Sequence, residues 1–252
     1  MFSRKPLNHL FVFVHLPKCA GTSLLKTFAQ IGRQRFGVVA EHDLKSQALG
    51  SLEEQMETHR IEPNKLDLIM GRDCYFGIQA VSPRSPFFFT FIRQPVERYI
   101  SQYRYYVDCA ANPEHRAHNM AVERLAFEGR QLTLREFAEQ NKGSNFLCKV
   151  LGSIAPSRQA WDHFWNVDGG EAFNAAVEML EAMSFIGFVE QIETDTKSIC
   201  DRLDVKPIVR KVNQSFAEVK VDSKTRQLIE QNNVYDLKLF EVAKKLRKEM
   251  NC

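Results

Sequence analysis

Leu10 to Phe28 reads LFVFVHLPKCAGTSLLKTF, and its three parts set the architecture of the chain. Leu10 to Val14 is an apolar run of strand length. Pro17-Lys18-Cys19-Ala20-Gly21-Thr22-Ser23 is a loop of small residues, and a helical pattern begins at Leu24-Leu25. Strand, tight loop and helix N-terminus in that order gather backbone N–H groups around one point, which suits a phosphate or sulfate. Lys18 adds a mobile cation there, and the Thr22 and Ser23 hydroxyls add neutral donors. The loop differs from the GxxxxGK[ST] loop of ATPases and kinases. Its lysine precedes the glycine by three positions, and it has only one glycine.

Working outward, 252 residues fit one α/β domain, or one with a modest appendage, and 44% hydrophobic content is ordinary for a soluble protein. Lys+Arg 34 against Asp+Glu 31 leaves a net charge of +3, too mild to argue for nucleic acid. Cysteines at 19, 74, 109, 148, 200 and 252 form no CxxC pair and no metal-like spacing, so free thiols in a reducing compartment are expected. The five-residue apolar run at the N-terminus ends at His15 and Lys18, too short for a signal h-region or a membrane span. It reads as the first buried strand.

Downstream, Ser23 to about Arg35 has Leu24, Leu25, Phe28 and Ile31 on one helical face, with Gly32 or Gly37 placed to end it. Residues 36–40 predict a second strand leading into Glu41-His42-Asp43, and residues 46–60 a polar surface helix. Lys65 to Met70 predicts a third strand, ending at Gly71-Arg72-Asp73. Pro86 to Ile92 (PFFFTFI) is continuously apolar, as a strand buried on both faces should be. Strands alternating with helices predict a mostly parallel central sheet flanked by helices. Arg93 then sits at the carboxyl end of a strand, Pro95 is placed to open a helix, and Ser101 lies two turns along it. A guanidinium fork plus one hydroxyl is suitable chemistry for a phosphate. Thr133 with Glu136 three residues later predicts a helix cap. Helices are expected over 171–183, 191–203 and about 222–249, with a late strand within 184–190.

FIRQPVERYISQY, Phe91 to Tyr103, resembles the RxPxxRxxSxY motif of sulfotransferases, whose first arginine and serine hold the 3′-phosphate of PAPS (3′-phosphoadenosine 5′-phosphosulfate). The PKCAGTS loop resembles the one that cradles the 5′-phosphosulfate in that family. Ser144 to Gly152 is similar to the N-x-x-x-x-x-L-x-G segment of glycan sulfotransferases, the group with the heparan sulfate 2-O- and uronyl 2-O-enzymes. Ser184 to Glu190 looks like that group's late strand, and Arg210 to Ser215 like its segment near the nucleotide. The resemblance spans about residues 10–245. It implies a P-loop-like three-layer sulfotransferase fold in a single domain over 1–252. The nucleotide-binding core would be about 10–105 and 184–215, and a helical acceptor-side region about 106–183.

By the same resemblance, PAPS is the co-substrate and no metal is expected. Pro17, Lys18, Cys19, Ala20, Gly21, Thr22 and Ser23 form the 5′ site, and Arg93 and Ser101 hold the 3′-phosphate. Lys18 is catalytic. The glycan enzymes carry a Gly-His at the end of the third strand, the histidine taking the acceptor proton. This chain has Gly71-Arg72-Asp73 instead. Arginine stays protonated, so the base candidates are Asp73 and His42, with Glu41 a weaker third, and Arg72 is free to grip an anionic acceptor. His115 and His118 read as surface residues, and Tyr99, Tyr103, Tyr105 and Tyr106 as mostly core. The acceptor is expected to be a hydroxyl of a glycan or small metabolite. The competing readings are a catalytically silent nucleotide- or glycan-binding relative and a P-loop kinase. With no anchor in view, the bacterial cytoplasm is the expected compartment; the oligomeric state is left open.

Overall fold

The structure is a computed structural model, and it describes residues 7–32, 35–39, 52–58, 60–71, 74, 76–157, 168–208 and 219–250. Five parallel strands make the central sheet: β1 (Leu10–Val14), β2 (Phe36–Val39), β3 (Leu68–Gly71), β4 (Pro86–Ile92) and β7 (Phe185–Phe188). Their spatial order is β2-β3-β1-β4-β7. A two-stranded antiparallel ribbon, β5 (Ala126–Phe127) with β6 (Arg130–Gln131), lies outside it.

The predicted β1 and β4 agree with the observed strands because both are buried on two faces, which leaves an uninterrupted apolar signature. Phe13 pairs in register with Met70 on one side and Phe89 on the other. Alternation along the strands divides the side chains into two layers. Phe11, Phe13, Phe89, Phe91 and Phe185 pack with Leu24 and Phe28 of α1 (Gly21–Phe28) and Ile199 and Leu203 of α8 (Ile192–Leu203). Phe13 stacks on Phe89 at 4.9 Å between centroids, and Phe28 meets both edge-on at 5.9 Å. On the other face Val12, Val14, Phe88, Ile92 and Ile186 pack with α6 (Phe146–Ser153), α7 (Gly169–Glu181) and α10 (Val234–Met250). The result is a three-layer α/β fold.

A third cluster is mainly helical. It joins α3 (Pro95–Ala110), α4 (His118–Leu125), α5 (Leu134–Glu139) and α9 (Ser223–Asn232) around Tyr99, Tyr103, Tyr106, Leu125, Phe137 and Ile229. Thr133 and Glu136 form the expected reciprocal cap on α5. The short α2 (Leu52–Thr58) is the described part of the helix expected over 46–60.

β3 begins at Leu68 rather than Lys65 and α7 at Gly169 rather than 171, and two further boundaries differ from expectation for a visible reason. The first helix stops at Phe28 and tightens into a 3₁₀ turn over Ala29–Ile31, and Gly32 ends it at φ 89°. The single C-terminal helix is two, because Asn233 interrupts it. The buried Asn233 side chain donates to the Ile229 carbonyl (2.8 Å) and accepts the Asn145 N–H (3.0 Å). Asn145 itself, at φ 49°, accepts the N–H groups of Tyr235 and Asp236. Asp236 is buried and accepts the first N–H groups of α6, from Leu147 (3.0 Å) and Cys148 (2.8 Å). The Asn and Gly of the Ser144–Gly152 segment are thus structural. Asn145 ties α6 to α10, and Gly152 lets α6 approach α7 so closely that a Cβ there would lie 2.7 Å from the Ala172 carbonyl.

Candidate nucleotide-binding site

β1 lies between β3 and β4, so the chain leaves it toward one edge of the sheet and leaves β4 toward the other. The crevice at the carboxyl ends of these strands is where such sheets bind ligands. Both sequence motifs open into it. Residues 15–20 follow β1, and Arg93-Gln94 follow β4.

The first loop is strained. Lys18 (φ 68°) and Ala20 (φ 65°) both take the left-handed conformation, which costs about 1–2 kcal/mol per non-glycine residue. Alternating with right-handed residues, such positions turn successive N–H groups to one side and form an anion-binding concavity. Ala20 occupies the N-cap position of α1 but carries no capping side chain. The Ser23 and Leu24 N–H groups bond the Ala20 carbonyl, whereas those of Gly21 and Thr22 precede any carbonyl that α1 could offer them. Thr22 is exposed, and Pro17, Lys18, Ala20 and Ser23 are half-buried.

His15, absent from the expected site, shapes this loop. Its backbone N–H bonds the Gly71 carbonyl (2.9 Å), continuing the β1–β3 ladder one residue past the strand. Its imidazole lies against Gly21, in the space a Cβ on that residue would occupy. The signal was available: strand alternation puts Phe11, Phe13 and His15 on one face, the face that α1 covers.

Cys19 links the two motifs. It is buried in the loop after β1, within electrostatic reach of Arg93 and Arg98 in the second. Burial pushes the thiol up to about 12, against the opposing pull of Arg98 and Arg93, so Cys19 is a neutral packing residue. The second motif is tied down as well. The Gln94 side chain caps α3 by accepting the Glu97 N–H (2.9 Å), Pro95 opens the helix, and the Gln94 N–H bonds Glu190 Oε1 (2.8 Å). Thr90 Oγ1 donates across to the Val14 carbonyl (2.8 Å), fixing the ends of β1 and β4 together.

Lys18 Nζ lies over the Tyr105 ring, 4.3 Å from its centroid. Tyr105 is four residues beyond Ser101, so the half-buried Ser101 hydroxyl belongs to the same stripe of α3. Of the expected site residues, those of the first loop and Arg93 follow the joined ends of β1 and β4, and Ser101 shares the helix stripe that Lys18 touches. Asp73, His42, Glu41 and Arg72 lie outside the described residues, as does the Arg210–Ser215 segment.

His115 and His118 correct an expectation, since both are half-buried rather than surface residues. His115 Nδ1 accepts the Ala117 N–H (3.1 Å), and its Nε2 faces the Cys109 sulfur at 3.8 Å. Both nitrogens are engaged in holding the turn after α3. His118 Nδ1 contacts the Cys109 carbonyl at 3.2 Å, which requires it to carry the proton. Tyr99, Tyr103 and Tyr106 are buried, as expected, and Tyr105 is the exception beneath Lys18.

A parallel α/β sheet with a lysine-bearing loop at its switch point is an architecture that commonly binds nucleotides. The comparison with family models narrows this: the model described as the sulfotransferase family matches residues 7–242, and the chain belongs to that family. A search of curated proteins returned no match. Family membership makes the chain a transferase by class. Among the described residues no helix is long and apolar enough to cross a membrane, and no cluster of three His, Cys, Asp or Glu is placed to hold a metal ion.

Proposed function

We propose that the chain moves a sulfuryl group from PAPS to a hydroxyl of an acceptor, with a carbohydrate the favoured class. The observation that carries this reading is Lys18 of the first loop lying over the Tyr105 ring of α3, 4.3 Å from its centroid, which brings the two motifs together. The N–H groups from Ala20 to Ser23 would hold the 5′-phosphate, and Arg93 with Ser101 the 3′-phosphate. Lys18 would neutralise charge on the transferring group or on the oxygen it leaves. In-line transfer further needs a group to accept the hydroxyl proton, and Asp73 and His42 are the proposed candidates. Arg72 is proposed to grip the acceptor. One domain with its nucleotide core at about 10–105 and 184–215, and an acceptor side at 106–183, fits this division of labour.

The test is calorimetric titration of adenosine 3′,5′-bisphosphate against ADP and ATP, with and without Mg²⁺. Metal-independent binding of the bisphosphate near 1 μM, about −8 kcal/mol, is expected, with ADP and ATP much weaker. A preference for ATP with Mg²⁺ would overturn the proposal. Turnover of labelled PAPS then separates an enzyme from a silent binder. The second outcome is the one that replacing Gly-His by Gly71-Arg72 would favour.

A further inference from the structure

Tyr105 lies two residues past the second motif and is the one tyrosine of α3 that is not fully buried. Its ring carries the Lys18 ammonium at 4.3 Å from the centroid, well inside the reach of a cation–π contact. A second effect agrees with that placement. Burial pushes the Cys109 thiol up, and Lys18 is among the groups that pull it the other way, so the ammonium reaches the next turn of α3 as well. The ring is itself braced. His115 meets it edge-on at 6.0 Å and 81°, and the Tyr106 ring lies 6.1 Å away on the same helix. His115 is held in turn by the Ala117 N–H (3.1 Å) and faces the Cys109 sulfur. The orientation of the Tyr105 ring is therefore set by the turn that joins α3 to α4.

A lysine ammonium ends a flexible four-carbon stem, so the left-handed backbone of Lys18 fixes where the stem starts and not where the charge ends. We propose that Tyr105 is a positioning residue for Lys18, its ring face holding the ammonium between the first loop and the Ser101 stripe of α3. This rests on the sulfuryl-transfer reading above and adds to it a residue that touches neither phosphate. A ring suits the task better than a carboxylate would. Its quadrupole attracts the cation without neutralising it, so the full positive charge remains available to the anion that arrives, and no ion pair has to be displaced first. Charge that already stands in place needs no reorganisation when negative charge develops. The hydroxyl plays no part in this, and the aromatic face is the feature that counts.

Two readouts test the proposal, one of rate and one of geometry. Labelled PAPS is turned over with water as the acceptor. Tyr105→Leu should lower kcat about three- to thirtyfold, the range of a cation–π contact, with KM for PAPS nearly unchanged. Tyr105→Phe, which keeps the ring, should restore most of that loss. Phenylalanine carrying one, two and three ring fluorines at position 105 should lower the rate step by step, because fluorine drains the face of the ring while barely changing its size. A packing role would not follow that series. For the geometry, the lysines are dimethylated with ¹³C-formaldehyde, which keeps their charge. The methyl signal that Lys18→Ala removes should stand upfield of the other lysines, and it should return to their position in Tyr105→Leu but not in Tyr105→Phe. A Lys18 signal at the ordinary position, or equal PAPS turnover by Tyr105→Leu and Tyr105→Phe, would overturn the proposal. If the unaltered protein leaves PAPS intact, the sulfuryl-transfer reading alone fails, and the methyl signal decides whether Tyr105 holds Lys18.

Discussion

The two motifs have the same outline, a buried strand running through a short turn into a helix, yet they end their helices in opposite ways. The first leaves α1 open, with Ala20 in a left-handed conformation at the cap position and no side chain bonded there. The second closes α3 with the Gln94 side chain, Pro95 and an acidic Glu97 in the first turn. An open helix N-terminus attracts anions through its own N–H groups and dipole, whereas a closed one does not. The lesson is that backbone should do the binding at the first motif and side chains, Arg93 and Ser101, at the second.

Lys18→Ala should have the largest effect. Loss of a cation from the point where charge develops should lower kcat about 10²–10³-fold with an unchanged melting temperature. Normal turnover would remove Lys18 from the chemistry. Gly21→Ala attacks the open helix end through packing alone. The methyl group would displace the His15 ring, so stability should fall by about 1–3 kcal/mol and bisphosphate affinity at least about tenfold. The double variant His15→Ala/Gly21→Ala should recover part of both, and additivity would show that the ring and the glycine are not coupled.

Arg93→Ala probes the side-chain half of the comparison. It should weaken adenosine 3′,5′-bisphosphate by about ten- to a hundredfold, the size of a charged hydrogen bond, and leave adenosine 5′-phosphate nearly unchanged. Equal losses for both would break the assignment.

The caps themselves give a smaller contrast. Gln94→Ala should cost about 1 kcal/mol in denaturant unfolding without altering nucleotide affinity. Ala20→Gly, which relieves the left-handed backbone, should be neutral or stabilising by up to about 1 kcal/mol. Smallest is a pH effect. The fold holds Cys19 protonated, with its pKa raised from 9.0 to about 12. Its contribution is complete below pH 9 and is lost as pH rises from about 9 toward about 12. The alkaline fall in urea midpoint should be shallower in Cys19→Ala.

How far the sequence could be read follows from the same physics. β1 and β4 were legible because double-sided burial leaves them almost wholly apolar, Thr90 excepted, and the Thr133 cap because both partners lie within one turn. The break at Asn233 was not, since helical periodicity runs through it and the competing bond comes from Asn145, 88 residues away. Arg98 stood in the sequence only as the second arginine of the RxPxxRxxSxY pattern, and its burial depends on α6 and the Gly143 turn. His15 sat in plain view, but its contact with Gly21 exists only once α1 folds back over the sheet. The two loop-and-helix motifs were local and readable; what packs around them was not.

The bonds from Leu147 and Cys148 to Asp236 also bear on how the chain is made. They close loops of 88 and 89 residues, reaching into the last helix. At about 5–20 residues per second, synthesis of 88 residues takes about 4–18 s. Throughout that interval α6 has no carboxylate for its first N–H groups, and Arg98 lacks the Asp236 charge that attracts it. The sheet strands up to β7 are complete before α10 emerges, so the layer that α6 forms with α7 and α10 is the part of a nascent chain that must wait, and the part most exposed to chaperones and proteases while it does.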